Sequence, residues 1–368
     1  MTKIIFISSS TDSPRVYKRI DEFVEQGYQV DLYAFQRKTF HTHITNASFK
    51  YKVNIIGTIP NAHYFRRLFS MYKSLKNLFT SYQEKDVCYY YFMLDVALVS
   101  LLLNKKKKYI YEESDLVHTY ISNKLLKWGL RKLDKFIIHS SIQTVLTSEG
   151  FAQYHFGNNI PSHVSIIPNK LNKKIKNISI LPKSEFDPKK LKISFIGFPR
   201  YDTIAYFGTI VASKFPQYEF HIYGNISADM ENKFEHLKHF SNVFFHGVFS
   251  TPDDLPLIYS KTDLVLSTYD VRIENVKYAE PNKLYESIFF ETPIIVSKNT
   301  FLAKKVLQLN VGYEVDPLNE DDIVKLIRNL TLDSLNDKIL SCQQHNKEDL
   351  LNNNTMFFNK IRQLIPAL

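Results

Sequence analysis

A strand–loop–helix–strand pattern between residues 263 and 297 limits most strongly what this chain can fold into. Residues 264–269 form a short apolar run that ends in polar residues, as a buried strand does where it opens into a loop. Pro281 follows, and proline is favoured at the first position of a helix. Apolar residues then recur at helical spacing, at Leu284, Tyr285, Ile288 and Phe289. Pro293 ends this helix before a second apolar strand, and the whole order predicts a parallel α/β sheet.

The predicted helix carries two charged residues near its start. In a parallel sheet, the loops after the strands lie at the carboxyl edge, where open α/β folds bind ligands. Lys283 and Glu286 are one turn apart there and share a face. A cation and a carboxylate beside free N–H groups suit a ligand that carries phosphates and sugar hydroxyls. A surface ion pair on an ordinary helix has the same spacing, so these residues alone leave both interpretations open.

Length and composition indicate a two-domain globular protein. The chain has 368 residues, and 44% of them are hydrophobic, which is enough for large cores and too much for disorder. Its two cysteines form no disulfide framework and fit a reducing cytoplasm. The apolar run at the N-terminus is too short for a signal peptide. The apolar stretch 89–103 is interrupted by Asp95 and is shorter than the roughly 20 residues that a membrane span requires.

The charge balance points to an anionic partner without identifying it. The net charge is +10, which is consistent with nucleic acid, an anionic bilayer surface or anionic substrates. The sequence has no zinc-finger spacing and no evident RNA-binding signature, and its basic residues are spread along the chain. We therefore expect no nucleic-acid partner.

The first residues form a βαβ opening of the doubly wound kind. Strand 4–8 is followed by a helix that Pro14 begins and Gly27 ends, and residues 29–35 form the next strand. The loop lacks the three-glycine fingerprint, so a nicotinamide cofactor is not expected. Two cations, Arg15 and Lys18, lie one turn apart at the start of the helix. They either face a ligand or are solvated helix charges.

A basic amphipathic helix is predicted at residues 66–79. Its apolar side is expected to consist of Leu68, Phe69, Tyr72, Leu75 and Phe79, and its cations are Arg66, Arg67, Lys73 and Lys76. Such a helix can lie on an anionic membrane, or it can cover a sheet with its apolar side. The lysine run 105–108 adds to a basic face.

An acidic cluster follows the strand at residues 109–111. Glu113 and Asp115 lie at its carboxyl end, where acids can orient sugar hydroxyls. Alternatively, they cap a helix that begins near Leu116, and we favour the cap for Asp115. Further strands are predicted at residues 136–139 and 144–148.

A segment rich in Lys, Asn and Pro separates two α/β series. We place an N-terminal domain at 1–170, a linker at 171–191, a second domain at 192–350 and a C-terminal helix within 351–368. The second series begins with strand 193–197, which runs directly into Arg200. Gly197 allows close approach of the backbone, and an arginine at that place can grip a diphosphate with two hydrogen bonds.

Several of these motifs together resemble one enzyme family. Residues 279–286 (AEPNKLYE), followed by Thr-Pro-Ile-Ile at 292–295, resemble the nucleotide-sugar segment of retaining GT-B glycosyltransferases of family four. Residues 13–18 resemble the first loop and helix of that family, which face its interdomain cleft. The Tyr-Glu-x-x-Asp order at 111–115 resembles bacterial polysaccharide glycosyltransferases. The sequence departs from the family at Tyr278, where many members carry a second glutamate, and at Glu291, where a glycine is usual.

The resemblance implies a fold, an activity and a site. The fold class is α/β, with two Rossmann-like domains facing a cleft and a C-terminal helix that returns to the N-terminal domain. The donor would be a UDP-, GDP- or TDP-sugar, and the acceptor a glycan or lipid-linked glycan in cell-surface polysaccharide synthesis such as capsule, exopolysaccharide or lipopolysaccharide. No cofactor and no metal are expected, and transfer would retain the anomeric configuration. The expected location is the cytoplasm, or the inner face of the cytoplasmic membrane.

The resemblance also assigns roles to individual residues. Arg200 and Lys283 would neutralise the leaving diphosphate, with Lys283 in place of a lysine that is missing after Arg200, and Glu286 would bind the ribose. The expected donor-binding residues are Gly197, Arg200, Tyr269, Lys283 and Glu286. Glu113 joins the two cations as a catalytic candidate, and the acceptor side would carry Arg15, Lys18 and Asp115. Two other functions stay open, a non-catalytic GT-B-like subunit that supports a partner transferase and a GT-B-fold nucleotide-sugar epimerase.

Overall fold

The computed structural model describes residues 3–11, 13–37, 50–60, 64–81, 86–104, 108–183, 187 and 189–366. The chain divides into two compact units. Unit 1 consists of Met1–Pro168 and Asn354–Leu368, and unit 2 consists of Asn169–Asn353. The segment predicted as a linker belongs to unit 2, where Lys183 Nζ donates to Thr292 Oγ1 at 2.7 Å.

Unit 1 is built on one parallel sheet of seven strands in the order β3-β2-β1-β4-β5-β6-β7. β4 is a continuous buried run of apolar and aromatic residues, which is typical of a strand covered on both faces. The strands are β1 (Lys3–Ser8), β2 (Val30–Arg37), β3 (Lys52–Ile59), β4 (Val87–Phe92), β5 (Tyr109–Glu113), β6 (Gln143–Leu146) and β7 (Val164–Ile166).

The helices of unit 1 connect these strands. They are α1 (Pro14–Glu25), α2 (Tyr64–Ser81), α3 (Leu94–Leu103), α4 (Lys124–Ser140) and α5 (Glu149–Phe156), with a 3-10 helix at Val117–Tyr120. The βαβ opening is confirmed, with Pro14 as the first residue of α1.

Unit 2 has a second parallel sheet, of six strands in the order β10-β9-β8-β11-β12-β13. Its strands are β8 (Lys192–Ile196), β9 (Glu219–Tyr223), β10 (Val243–Gly247), β11 (Leu264–Ser267), β12 (Ile294–Ser297) and β13 (Gly312–Val315). Its helices are α6 (Asp202–Lys214), α7 (Ala228–Phe234), α8 (Leu255–Ser260), α9 (Glu274–Tyr278), α10 (Lys283–Phe289), α11 (Phe301–Gln308), α12 (Glu320–Arg328) and α13 (Leu332–Gln344). Three 3-10 helices lie at Lys173–Asn177, Glu235–His239 and Lys347–Leu350.

The last helix, α14 (Thr355–Leu364), belongs to unit 1. Its Phe358 ring packs edge-on against Phe23 of α1, with 5.1 Å between the ring centroids. The hydroxyl of Tyr28 donates to the carbonyl of Ile365 at 2.8 Å, which ties the chain just after α14 to the same core.

The strand predicted at residues 136–139 is wrong, because these residues end α4. Leu130, Asp134, Ile137 and Ile138 are buried at helical spacing. The adjacent pair Ile137–Ile138 suggested a strand, but both side chains fit the buried face of a helix.

The cap predicted for Asp115 is also wrong. The 3-10 helix at Val117–Tyr120 has Leu116 at its N-cap position, with no side-chain hydrogen bond. Asp115 instead accepts a backbone hydrogen bond from Val117 N at 2.9 Å. Similarly, α10 begins at Lys283, two residues after the proline that was expected to open it.

The apolar side predicted for α2 is only partly right. Leu75 is buried, together with Met71 and Leu78, but Phe69 is 79% exposed and Tyr72 is also exposed. Met71 takes the core position because it lies one turn before Leu75 and two turns before Leu78, on the same face of the helix. Of the lysine run 105–108, residues 105–107 lie outside the described residues. Within the described ranges, no helix combines the length and apolar character that crossing a bilayer requires.

Candidate functional site

The central strands of unit 2 create a crevice at the edge of the sheet. β8 lies between β9, which follows it in the chain, and β11, which comes later. The connections after β8 and β11 therefore leave in opposite directions, and ligands of open α/β sheets bind at such a switch point. Gly197 and Arg200 follow β8, while Tyr269 and the start of α10 follow β11. The structure thus places all five predicted donor-binding residues in unit 2, at or after the carboxyl ends of neighbouring strands.

Gly197 brings the β8 loop and α10 into contact. Its φ is +134°, a conformation that residues with a side chain rarely adopt. A Cβ atom at this position would lie 2.8 Å from Lys283 Nζ. A glycine is therefore needed both for the turn and for the space that the Lys283 ammonium occupies.

Lys283 is a buried cation, with its side chain only 8% exposed. Burial lowers the pKa of Lys283, and the negative charge of Glu286 partly offsets this. The ammonium lies 5.6 Å from the centre of the Phe195 ring. Among the described residues, none accepts a hydrogen bond from Lys283 Nζ. A buried ammonium without an acceptor is costly, so an anionic ligand would stabilise it.

Glu286 is held in place by two neighbours. The Tyr259 hydroxyl donates to Glu286 Oε2 at 3.1 Å, and the Asn282 side-chain amide donates to Oε1 at 2.8 Å. Burial and the charge of Glu286 hold the pKa of Tyr259 well above its ordinary value, so this hydroxyl remains a donor. Each carboxylate oxygen has a further lone pair, so Glu286 can still accept from two ligand hydroxyls.

Arg200 and Tyr269 complete the predicted donor-binding set. Arg200 is exposed, lies 5.8 Å from the Phe198 ring centre, and has no ion-pair partner among the described residues. Tyr269 is fixed through its backbone, since its N–H donates to Ser297 Oγ at 2.7 Å and Ser297 Oγ donates to its carbonyl at 2.8 Å. Burial raises the pKa of Tyr269 to about 12, so its hydroxyl is neutral near pH 7.

Glu280, two residues after Tyr278, and Glu291 both have defined partners in the structure. One oxygen of Glu280 is held by Lys305 Nζ at 2.6 Å and by the Tyr285 hydroxyl, while the other is buried without a hydrogen-bond partner. Glu291 has φ +54°, in the left-handed region that favours glycine. Its side chain accepts from Lys347 at 2.7 Å and from Gln343 at 3.0 Å, which gives this glutamate partners that a glycine would not have.

The acceptor-side residues predicted from the sequence lie in unit 1. Burial lowers the pKa of Arg15, while the charges of Glu112 and Asp115 oppose the shift, so Arg15 lies in the field of both acids. Burial also lowers the pKa of Lys18, to about 8, with Glu22 acting in the opposite direction. These residues therefore form part of a charged cluster around β5 and α1.

Glu113 is fully buried within a hydrogen-bonded network in unit 1. One oxygen lies 2.8 Å from His155 Nε2, the other is buried without a hydrogen-bond partner, and the carboxylate comes within 4.8 Å of Asp134. Asp134 in turn accepts from the Tyr111 hydroxyl at 2.9 Å. These contacts fit a structural role for Glu113 better than contact with a sugar, and its catalytic role stays a prediction.

The network assigns the protons of its members. Burial and the charge of Asp134 hold the pKa of Glu113 well above its ordinary value. Burial opposes ionisation of Asp134 as well, but its interactions with His118, Glu113 and His155 outweigh burial and lower the pKa of Asp134. Burial lowers the pKa of His155 to about 4, so its ring is neutral near pH 7. The two acids therefore differ, with the protonated form favoured at Glu113 and the ionised form at Asp134.

The same network contains the one group of described residues that could hold a metal ion. One ligand atom each from Glu113, His118 and Asp134 lie within 4.8 Å of one another. Carboxylate and imidazole ligands suit zinc or manganese. Glu113 Oε1, His118 Nδ1 and Asp134 Oδ2 are each buried without a hydrogen-bond partner.

The raised pKa of Glu113 predicts how the stability of unit 1 depends on pH. The folded state holds this proton at pH values where an unfolded glutamate has lost it, so the contribution is full below the unfolded pKa and is lost as pH rises through the folded pKa. Over that window the unfolding free energy of wild type should fall, relative to Glu113→Gln, by about 1.4 kcal/mol per pH unit.

Urea unfolding of both proteins at several pH values above 5 measures this difference. Comparing the two curves removes the opposite trend of His155, whose lowered pKa makes stability rise with pH up to its ordinary pKa. Parallel curves would contradict the proton on Glu113.

Comparisons with known proteins agree with the fold. Residues 202–348 match the family model described as "Glycosyl transferases group 1". The whole chain superposes on a sucrose-phosphate synthase from Thermosynechococcus elongatus, with a TM-score of 0.72, 15% identity and 100% of both chains covered. The chain has the GT-B fold. The matched segment contains Tyr269, Lys283 and Glu286.

Two further solved structures share this fold. HepE of Anabaena in complex with UDP and glucose superposes with a TM-score of 0.68 at 12% identity, covering 99% of this chain and 100% of HepE. The lipopolysaccharide outer core galactosyltransferase WaaB, in its apo form, gives 0.64 at 14% identity, covering 99% of this chain and 100% of WaaB. No curated protein matches the chain at the level of sequence. The predicted α/β fold class, with two Rossmann-like domains, is confirmed.

Proposed function

We propose that this GT-B protein transfers a sugar from a nucleotide-sugar donor to a glycan or lipid-linked acceptor. The observation that carries the proposal is Lys283, a buried ammonium without an acceptor that lies against Gly197, one turn from the fixed carboxylate of Glu286. A phosphate and a ribose together would satisfy both groups. The UDP and UDP-glucose complexes of HepE support a nucleotide-sugar ligand for this fold.

The proposed reaction assigns each group a role. The bond between the anomeric carbon and the diphosphate oxygen breaks, an acceptor hydroxyl bonds to that carbon, and the proton of the hydroxyl passes to the departing diphosphate. Lys283 and Arg200 stabilise the negative charge that develops on the leaving diphosphate. Glu286 binds the ribose hydroxyls and so positions the donor. Retention at the anomeric carbon is part of the proposal, and it rests on the family resemblance alone.

The setting of the reaction is also part of the proposal. We place it in the synthesis of a cell-surface polysaccharide, at the cytoplasmic side of the membrane. The resemblance to polysaccharide glycosyltransferases and the similarity of fold to WaaB support this assignment.

A non-catalytic donor-binding subunit is the second candidate function. The burial of Glu113, a catalytic candidate, favours this non-catalytic function, because its carboxyl group has no exposed surface. Such a subunit would bind the donor through the same residues of unit 2 without releasing nucleoside diphosphate.

A donor screen tests the proposed function. The purified protein is incubated with UDP-, GDP- and TDP-sugars, and release of nucleoside diphosphate is measured with wild type and with Lys283→Met. We expect wild type to hydrolyse one donor slowly, and we expect Lys283→Met to have lost this hydrolysis. Binding of a donor without hydrolysis, even after addition of glycan acceptors, would favour the non-catalytic subunit, and absence of binding to every donor would contradict both functions.

Separate replacements of Arg200 and Lys283 test the diphosphate site. Arg200→Ala and Lys283→Met should each weaken binding of the nucleoside diphosphate about tenfold or more. A hydrogen bond to a charged group contributes about 1.5–3 kcal/mol to binding. The nucleoside without phosphates should bind equally to all three proteins, because neither side chain is assigned to it. Calorimetry with the two ligands measures both effects. A loss confined to the sugar-bearing ligand would contradict the role of the two cations.

A further inference from the structure

We propose that the outer face of α4 (Lys124–Ser140) binds the surface of an anionic lipid bilayer. Helix α4 buries one side against unit 1, through Leu130, Asp134, Ile137 and Ile138. Its opposite side is also apolar. Leu125 is 76%, Trp128 61% and Phe136 62% exposed, and Leu126 and Leu133 are exposed as well.

The exposed apolar residues form one continuous stripe. Leu125, Trp128, Lys132 and Phe136 follow one another at spacings of three or four residues, so they project from the same face of the helix. An ordinary surface helix has polar residues there. Scattered exposed apolar side chains need no explanation, but a contiguous set indicates an interaction surface.

The charges on α4 indicate which kind of partner binds its exposed face. The helix carries five cations, Lys124, Lys127, Arg131, Lys132 and Lys135, while its one acid, Asp134, is fully buried. Two copies of the protein that met through this face would bring these cations together, which disfavours a dimer. An anionic bilayer offers negative charge for the lysines and an apolar layer for Leu125, Trp128 and Phe136.

The side chains are suited to the boundary between water and lipid. Trp128 is amphipathic, and tryptophan is enriched at membrane interfaces. The Lys132 ammonium lies 5.7 Å from the Trp128 ring centre. The long lysine side chains can keep their ammonium groups at the headgroups while their methylene groups lie on apolar surface. The helix therefore suits a position parallel to the membrane plane.

Neighbouring helices extend the surface. α3 contacts both α2 and α4, so the three helices form one layer on the same face of the sheet of unit 1. On α2, the exposed Phe69 and Tyr72 lie beside the exposed Lys73 and Lys76. The sequence pointed to α2 as the basic helix, but the structure exposes more apolar surface on α4. We therefore assign the main contact to α4. This assignment does not depend on the proposed sugar transfer.

Vesicle binding of the full chain tests the proposal, with a built-in reporter. Trp128 is the single tryptophan of the chain, so its emission reports on α4 alone. Wild type should co-sediment with vesicles of phosphatidylcholine containing phosphatidylglycerol, with a blue shift of the emission, and should not bind phosphatidylcholine alone. Binding should fall as salt is raised, because exposed charges are screened beyond about 10 Å at 0.1 M.

Matched variants distinguish the contribution of α4 to vesicle binding from the effect of net charge. Lys124→Gln/Lys132→Gln/Lys135→Gln on α4 and Arg66→Gln/Lys73→Gln/Lys76→Gln on α2 each remove three positive charges. The α4 variant should reduce the partition at least tenfold, and the α2 variant less than threefold. Leu125→Ser/Phe136→Ser should reduce it as well, with the circular dichroism spectrum unchanged because these side chains are exposed.

Four results would overturn the proposal. They are failure of wild type to bind anionic vesicles at low salt, equal losses for the two charge variants, an unchanged Trp128 emission on binding, and a dimer in solution that Phe136→Ser dissociates. Donor hydrolysis is measured separately in solution, so failure of this proposal and failure of the proposed enzyme activity are distinguishable.

Discussion

Replacing Glu286 with alanine should weaken binding of the nucleotide sugar about 100-fold or more. In the proposed site, two ribose hydroxyls donate to the Glu286 carboxylate, and the alanine removes both acceptors at once. Each such hydrogen bond contributes about 1.5–3 kcal/mol. The alanine also leaves the buried Tyr259 hydroxyl without its acceptor, which should cost about 1–3 kcal/mol of the unfolding free energy of unit 2. Calorimetric titration with the donor found in the hydrolysis screen measures the affinity, and urea unfolding measures the stability.

Two further variants separate these effects. Glu286→Ala/Tyr259→Phe removes the unsatisfied hydroxyl, so it should recover stability without recovering donor affinity. Glu280→Gln changes a second buried acid of the same segment, whose charge is already balanced by Lys305. It should leave donor affinity close to wild type. An unchanged affinity in Glu286→Ala would refute the ribose role, and a loss in Glu280→Gln would show that Glu280 takes part in the donor site.

The sequence brought together the residues at the centre of the proposed donor site because its signals are local. Lys283 and Glu286 are one turn apart on a single helix, and the strand before them is a short apolar run. Gly197 and Arg200 directly follow the first strand of the second series. A parallel sheet brings such loops to one edge whatever the details of packing. The contact between Gly197 and Lys283 follows from that topology.

The partners of these residues were not predictable, because they depend on how helices pack. Tyr259 comes from α8, 27 residues before the Glu286 that it holds. Glu113 meets His155, 42 residues later in the chain, and their pKa values are set by burial rather than by sequence neighbours. Spacing along one chain segment carries no information about such contacts. The acids at the end of β5 therefore looked like ligand-facing groups, although Glu113 is enclosed.

The buried faces of the two basic helices, α2 and α4, also depend on packing that the sequence does not show. On α2 the apolar residues allow more than one stripe, and the packing of α3 selects Met71, Leu75 and Leu78 for the core. On α4 the pattern is apolar on two sides, and the adjacent β-branched residues Ile137 and Ile138 suggested a strand. Only the structure distinguishes the buried side from the exposed one.

Replacing Arg19 with alanine should destabilise unit 1 by about 3–5 kcal/mol, which is the cost of leaving one member of a buried ion pair without its partner. Arg19 Nε lies 3.0 Å from Glu112 Oε2, and the two side chains are 5% and 0% exposed. Burial disfavours the cation, but the charges of Glu112 and Glu22 outweigh it and raise the pKa of Arg19, so Arg19 stays charged. Urea unfolding followed by Trp128 emission reports on unit 1, because that tryptophan lies in α4.

Arg272→Ala is the matched control for this variant. Arg272 also pairs with a carboxylate, Asp270, at 2.7 Å, but its side chain is 67% exposed. Water solvates the Arg272 guanidinium, so the unfolding midpoint of unit 2, followed by circular dichroism, should move little. Arg19→Met/Glu112→Gln should recover much of the stability lost in Arg19→Ala, because the isolated charge is gone and the Tyr90 hydroxyl can still donate to the amide oxygen. If Arg19→Ala and Arg272→Ala unfold alike, burial does not set the strength of the pair. If the double variant is no better than Arg19→Ala, the loss comes from packing of the arginine chain rather than from the stranded charge of Glu112.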